Sequence, residues 1–286
     1  MVFCAFKALG RFSFQPLSEN PLLGPSASKL DEMGALQRIF LTEHHQTWRL
    51  FTFPVLHGGA IHLVINLCSV IFVGIHLEKE FGPLRIGIVY VLSALFGALV
   101  AALFIQNTPA VGSSGALYGL LGAMLSALIR NWKFYTNKVA AVTSLICVSV
   151  INFSLGLLPY IDNFSNIGGF VSGILLGFLL LFSPQLDRPV LRSVSLILFI
   201  IVLAGCLVAV LRGVNINQYC RWCRYVDCVP FQRWQCKSIA TSCETMVSNA
   251  QLTLTLTCMS NGKYKVFPFT NLSQLRINDL CSLICL

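Results

Sequence analysis

Charge is what this sequence has least of. Only 11% of its 286 residues are Asp, Glu, Lys or Arg, while 56% are hydrophobic; a soluble domain carries about 25% charged residues. No soluble core of this length would hide so much apolar sequence, and a mean hydropathy of +0.75 points to a membrane protein. Acidic residues are the scarcer kind, 11 against 20 basic, for a net charge of +9. In a soluble chain that surplus would raise nucleic acid as a partner. Here the basic residues sit in short stretches between apolar runs, which fits membrane topology instead, so a lipid bilayer and no nucleic acid is expected. Nor is a signal peptide expected: residues 1–14 are interrupted by Lys7, Gly10 and Arg11, and no cleavage site follows an apolar run. The first membrane segment is then expected to act as its own targeting signal. No charged residue lies deep within an apolar run, which leaves a transporter or channel with little support, since such residues often mark ion paths.

Six long apolar runs are present, near residues 57–76, 87–105, 114–129, 139–158, 164–183 and 193–211. A spanning helix needs about 20 residues, so the third is short. Its polar start fits a helix whose first turn is sunk below the membrane surface and lines a wet cavity. Lys79, Arg85, Arg130, Lys133, Lys138, Arg188 and Arg192 follow the odd-numbered runs, whereas the short loops 106–112 and 159–163 contain no Lys or Arg. The asymmetry places the loops after odd spans in the cytosol. The N-terminal region and the tail then face the lumen or the cell exterior.

Of twelve cysteines, Cys4, Cys68, Cys147 and Cys206 are scattered, and the other eight lie after residue 219. Such density suggests disulfides in an oxidising compartment. Zinc is the rival reading, because Cys220-x-x-Cys223 has ligand spacing, but without a clear second pair it is the weaker one. Asn271-Leu-Ser273 is a glycosylation sequon. The stretch Leu252 to Cys258 alternates like a strand.

Polar residues inside the apolar runs form an ordered set. The first run carries His57-Gly58-Gly59, then His62 and Asn66, the last two sharing one helix face. The third opens Gly112-Ser113-Ser114-Gly115 and continues through Tyr118; the fifth opens Asp162-Asn163-Phe164-Ser165-Asn166-Ile167-Gly168-Gly169. Gly115, Gly119 and Ala123, and likewise Gly169, Gly173 and Gly177, repeat every four residues, the pattern that lets membrane helices approach closely. If those faces meet, Ser114 and Asn166 are expected to be neighbours at the lumenal ends of the pair.

This set resembles the rhomboid family of intramembrane serine proteases. Gly112-x-Ser114-Gly115 is similar to the family's GxSG motif, which implies that Ser114 stands at the nucleophile position. His62-x-x-x-Asn66 resembles the HxxxN that supports the oxyanion, Tyr118 the tyrosine packed on the catalytic histidine, and Trp48-Arg49 the pair in the first lumenal loop. Residues 162–169 resemble DNxAHIGG with Asn166 where the histidine base belongs. The run from Phe12 to Pro25 and Cys220-Arg-Trp-Cys223 resemble plant rhomboid-like proteins. The resemblance covers roughly residues 3–236. It implies an all-α, polytopic membrane helix bundle of six transmembrane helices, with the family's first helix missing and one extra C-terminal helix. The expected organisation is a lumenal segment and first loop (1–54), a membrane core (55–183), a cytosolic loop and additional helix (184–212) and a Cys-rich lumenal tail (213–286).

A serine hydroxyl is a poor nucleophile until a base takes its proton. An asparagine amide has hydrogen-bonding groups but no useful basicity, so it can hold the Ser114 hydroxyl without activating it. Loss of the base costs on the order of 10⁶ in kcat. His62 is the one candidate substitute and is aimed at the oxyanion; His57 is expected at the rim, His76 at the cytosolic end, and His44 and His45 in solvent. The implied function is a catalytically inactive member that binds transmembrane client proteins and affects their trafficking or turnover, in a Golgi, endoplasmic reticulum or plasma membrane, with no cofactor and no metal. The alternative is an active protease using Ser114 and an atypical base. A product of a degraded gene is a third reading, motivated by the missing first helix.

Overall fold

Gly82 and Pro83 divide the first two spans. Gly82 takes φ +87°, open to glycine without a side-chain clash, and ends α4 (Ala60–Phe81). Pro83, which has no N–H to lose, starts α5 (Pro83–Phe104). The computed structural model describes residues 20–105 except 43, 109–132, 137–181 except 159, and 189–216. It also describes residue 15 and, in the tail, 219, 220, 222, 223, 226, 243–248, 253–258, 262–268, 277, 280, 281 and 284. Lys133, Arg188, Cys4, Cys228, Cys236, Cys285, the sequon at 271–273 and residues 12–14 and 16–19 lie outside the described residues.

Three short helices precede the spans: α1 (Ala27–Met33), α2 (Arg38–Thr42) and α3 (Arg49–Thr52), the last running into a 3₁₀ turn at Phe53–Val55. After α4 and α5 come α6 (Ser114–Arg130), α7 (Lys138–Leu155), α8 (Asn163–Leu180) and α9 (Pro189–Leu211). The six apolar runs are thus the six long helices, shifted by a few residues at their ends. Five are long and apolar enough to cross a membrane; α6, with 17 residues, is shorter. The protein is a multi-pass membrane bundle. Large apolar side chains such as Phe72 on α4, Leu84 on α5 and Ile201 on α9 point outward, which is the expected lipid-facing composition.

Helix α6 is apolar on all sides and buried almost throughout, at the centre of the bundle. It packs most closely on α8. A Cβ on Gly169 would run into the Gly115 carbonyl, one on Gly173 into the Gly119 carbonyl, and one on Gly177 into Ser126 and the Ala123 backbone. The two small-residue faces do meet. Helix α7 is largely exposed and is held by polar contacts: the Tyr118 hydroxyl donates to the Ser149 carbonyl, and Asn152 Nδ2 donates to Ser69 Oγ at 3.0 Å.

The first loop is tied to the amino end of α4. Asn20 Nδ2 donates to the Gly58 carbonyl at 2.9 Å. The Leu22 and Leu23 carbonyls accept from Ile61 N–H and Ala60 N–H at 3.2 and 3.1 Å, satisfying two N–H groups that a helix start leaves without partners. Arg49, exposed by only 5%, staples the same loop. Its Nη1 donates to the carbonyls of Asp31 and Ala35 at 2.9 and 2.7 Å, its Nε donates to Gln46 Oε1 at 2.7 Å, and its guanidinium lies 3.9 Å from the Phe40 ring centroid. Burial pushes the Asp31 carboxyl up to about 7, with the nearby Arg49 charge pulling the other way.

Residues 230–286 form a second compact unit. Strands β1 (Cys243–Ser248), β2 (Thr253–Cys258) and β3 (Tyr264–Pro268) make an antiparallel sheet in that order. The alternation seen in the sequence is β2: Leu254, Leu256 and Cys258 are buried with Leu280 and Ile284, while the threonines between them are half-buried. This small sheet is an addition to the all-α expectation. A disulfide joins Cys243 to Cys281, and Cys258 is also disulfide-bonded. In the first unit Cys220 is bonded to Cys223, the disulfide reading rather than a thiolate pair open to zinc.

Candidate functional site

The polar residues converge where α4, α6 and α8 begin. At α4, Gly58 N–H donates to His62 Nδ1 at 3.3 Å, which leaves the proton of the neutral ring on Nε2. His62 is buried, and the His57 ring meets it edge-on with centroids 5.3 Å apart. Asn66 is buried one turn further along the same face.

Helix α6 begins against this cluster. Gly112 N–H donates to the Phe53 carbonyl at 3.3 Å, and a Cβ on Gly112 would press on the Phe53 ring and approach Ser114 Oγ. Ser113 occupies the N-cap position of α6, where a serine hydroxyl ordinarily accepts from the helix's own N–H groups. It makes no such bond. Its Oγ lies 2.6 Å from His57 Nε2 and also accepts from Asn66 Nδ2. Ser114, one residue on, is buried, and its Oγ has no hydrogen-bond partner among the described residues.

At α8, Asp162 caps the helix by accepting from Ser165 N–H at 2.6 Å. Asn166 is fully buried; its Nδ2 donates to Asn163 Oδ1 at 2.8 Å, and its Oδ1 has no partner among the described residues. Asn163 in turn donates to the carbonyls of Val226 and Phe153 at 2.7 and 3.3 Å. A Cβ on Gly115 would collide with Ser165, so the starts of α6 and α8 are in direct contact.

The structure therefore gathers His62, Asn66 and Gly112 on one side of the α6 start and Asn166 on the α8 side. The Ser114 hydroxyl is not hydrogen-bonded to the Asn166 amide, which donates within its own helix to Asn163. Tyr118 is bonded to α7 rather than to α8. His57, expected at the rim, is half-buried and is a partner of Ser113. Of the remaining histidines, His44, His45 and His76 are exposed. The pair missed by sequence reasoning is thus Ser113 with His57. The usable signals were a second serine at a helix start and a second histidine just ahead of His62.

In chemical terms, the Ser114 hydroxyl has no base within hydrogen-bonding reach among the described residues, and hydroxyl–imidazole contact is made by its neighbour. Among the described residues no cluster of three or more His, Cys, Asp or Glu is arranged to hold a metal ion.

Comparison with known proteins agrees with this frame. Residues 44–183 match the Rhomboid domain family. The chain is 51% identical over 271 residues to "Inactive RHOMBOID-like protein 8" of Arabidopsis thaliana, covering 86% of this chain and 77% of that one. It is 44% identical over 306 residues to "RHOMBOID-like protein 1" of the same plant, covering 99% of this chain and 78% of the relative. It also matches "Inactive rhomboid protein 1" of Danio rerio at 34% identity over 189 residues, which is 65% of this chain and 22% of the fish protein. A buried hydroxyl and a cluster of imidazole and amide groups at the start of a short central helix, together with these matches, make the chain a member of the rhomboid family.

Proposed function

We propose that this protein is a rhomboid-like membrane protein silent as an intramembrane protease, which binds the transmembrane segments of client proteins and affects their trafficking or turnover. Asn166 stands where the family's histidine base is expected, and an amide cannot take a proton from Ser114. The observation that carries the reading is the Ser114 Oγ, buried and without a hydrogen-bond partner among the described residues. His62 offers no substitute, because its Nδ1 is occupied by the Gly58 N–H, and Ser114 has no bond to its other nitrogen. The buried polar cluster among the helix starts is retained, so the frame that would receive a client segment remains. On the positive-inside reading, the Cys-rich tail is lumenal or extracellular in a secretory-pathway membrane.

The test is cleavage of a rhomboid substrate by purified protein in bilayers, beside co-purification of transmembrane clients. Client binding without cleavage is expected. A cleavage product abolished by Ser114→Ala would overturn the reading. Asn166→His separates the contributions: restored cleavage would assign the silence to that one side chain.

A further inference from the structure

Among the described residues the site holds one serine whose hydroxyl touches an imidazole, and it is not the one the motif names. We infer that Ser113, with His57 as its base, is a nucleophile for small carboxylic esters that carry a good leaving group. Three observations on this page carry it. Ser113 Oγ is 2.6 Å from His57 Nε2, within the reach a nucleophile–base pair requires. Asn66 Nδ2 donates to the same oxygen and lies 3.5 Å from His57 Nε2, so in the tautomer that leaves this nitrogen an acceptor the hydroxyl's own proton points to the ring. The hydroxyl forgoes the cap of its own helix to make these contacts, although capping is the usual role of a serine there. The base is also held: the His57 ring sits edge-on to His62, which is fixed by the Gly58 N–H. His57 is half-buried and Ser113 is 1% exposed, so the pair suits a small reagent rather than a bulky one.

The step balances without any further reagent. Ser113 Oγ forms a bond to the ester carbonyl carbon while its proton passes to His57 Nε2. The bond to the leaving alkoxide or aryloxide then breaks, and that oxygen takes the proton from His57. Water repeats the sequence on the acyl-serine, giving a proton to His57 as it attacks. The carbon–Oγ bond breaks, the carboxylic acid leaves, and Ser113 regains its proton. Esters rather than peptides are the substrates because Asn66 is already spent on Oγ, leaving fewer donors for a developing oxyanion. With weak oxyanion stabilisation the tetrahedral intermediate is reached only on an activated carbonyl, which an ester with a good leaving group has and an amide lacks. This activity is independent of client binding and of Ser114.

The full-length protein in detergent or bilayers is treated with a fluorophosphonate and the adduct is mapped by peptide fragmentation, which distinguishes the adjacent serines without any variant. An adduct on Ser113 is expected. Turnover of p-nitrophenyl acetate is followed in parallel. Ser113→Ala should abolish it, and His57→Ala should slow both labelling and turnover by about 10²-fold or more. Ser113→Thr, which keeps a hydroxyl, controls for folding and should retain part of the reaction. No adduct, an adduct on Ser114, or labelling that His57→Ala leaves unchanged would overturn the inference. The first of these would leave the client-binding reading standing, whereas Ser114-dependent peptide cleavage would defeat that reading alone.

Discussion

Substituting Gly173 by alanine tests the seam between α6 and α8 through the sign of its effect. In a helix interior, Gly→Ala is ordinarily favourable by up to about 1 kcal/mol. At Gly173 the new Cβ would meet the carbonyl group and Cα of Gly119. These are backbone atoms on a facing helix, so no rotamer change relieves the contact and the helices must move apart. A gap of about 0.5–1 Å forfeits a quarter to a half of the dispersion well for each pair along the seam. Gly169 against Gly115 and Gly122 against Phe170 would lose contact together. Overpacking of this kind costs about 1–3 kcal/mol, which outweighs the helix gain. Net destabilisation of about 1–2 kcal/mol is expected. The controls are Gly87→Ala on α5 and Gly205→Ala on α9, where an added Cβ meets nothing within 4 Å; these should be neutral or slightly stabilising. Unfolding by SDS titration, followed by circular dichroism, gives the three values. If Gly173→Ala proves as stable as the two controls, the close approach of the helices is wrong.

Three further outcomes are expected. Asp31 has a folded-state value of about 7 against an ordinary 3.8, so the folded protein binds the proton more tightly. That contribution to stability is fully present below about pH 4 and lost as pH rises through about 7. Asp31→Asn should accordingly stabilise the fold by about 2–4 kcal/mol at pH 8 and by little at pH 4, read as melting temperature across that range. Arg49→Leu strands the carbonyls of Asp31 and Ala35 and should cost about 3 kcal/mol, again in a thermal melt. Cys243→Ser opens a loop of 38 residues and should cost the tail unit about 2–4 kcal/mol, seen as faster proteolysis within residues 230–286 while the spans stay protected.

The helices were legible because a membrane span needs a long uninterrupted apolar run, and the breaks at Gly82-Pro83 and Asn137 are visible as residues. The α6–α8 seam was legible from four-residue spacing of small side chains, a local pattern with one common physical use. The site was legible as a neighbourhood but not as a set of bonds. Ser113 and Ser114 are adjacent, and about 100° of helix rotation separates them, so the choice of which hydroxyl meets an imidazole depends on how the α4 start is docked. Asn166 was identifiable as an amide in a buried place, yet its bond to Asn163 Oδ1 depends on a side-chain rotamer that sequence does not give. The pairing of Cys243 with Cys281 rests on the sheet bringing distant segments together.

The carbonyls of Leu22 and Leu23 that cap α4 come from a segment nearly forty residues upstream, and this separates the making of the helices from the making of the pocket. Each span can become helical inside lipid on its own, since its backbone bonds are internal. The position of His57 cannot be settled that way, because the Gly58 carbonyl and the Ala60 and Ile61 N–H groups just after it are held by the segment around Asn20–Leu23. The His57 end therefore depends on a strap docked onto the bundle, with Asn20 and Leu22 buried against the start of α4. Any agent that loosens that strap would disarm the imidazole while leaving the spans inserted and the protein outwardly whole.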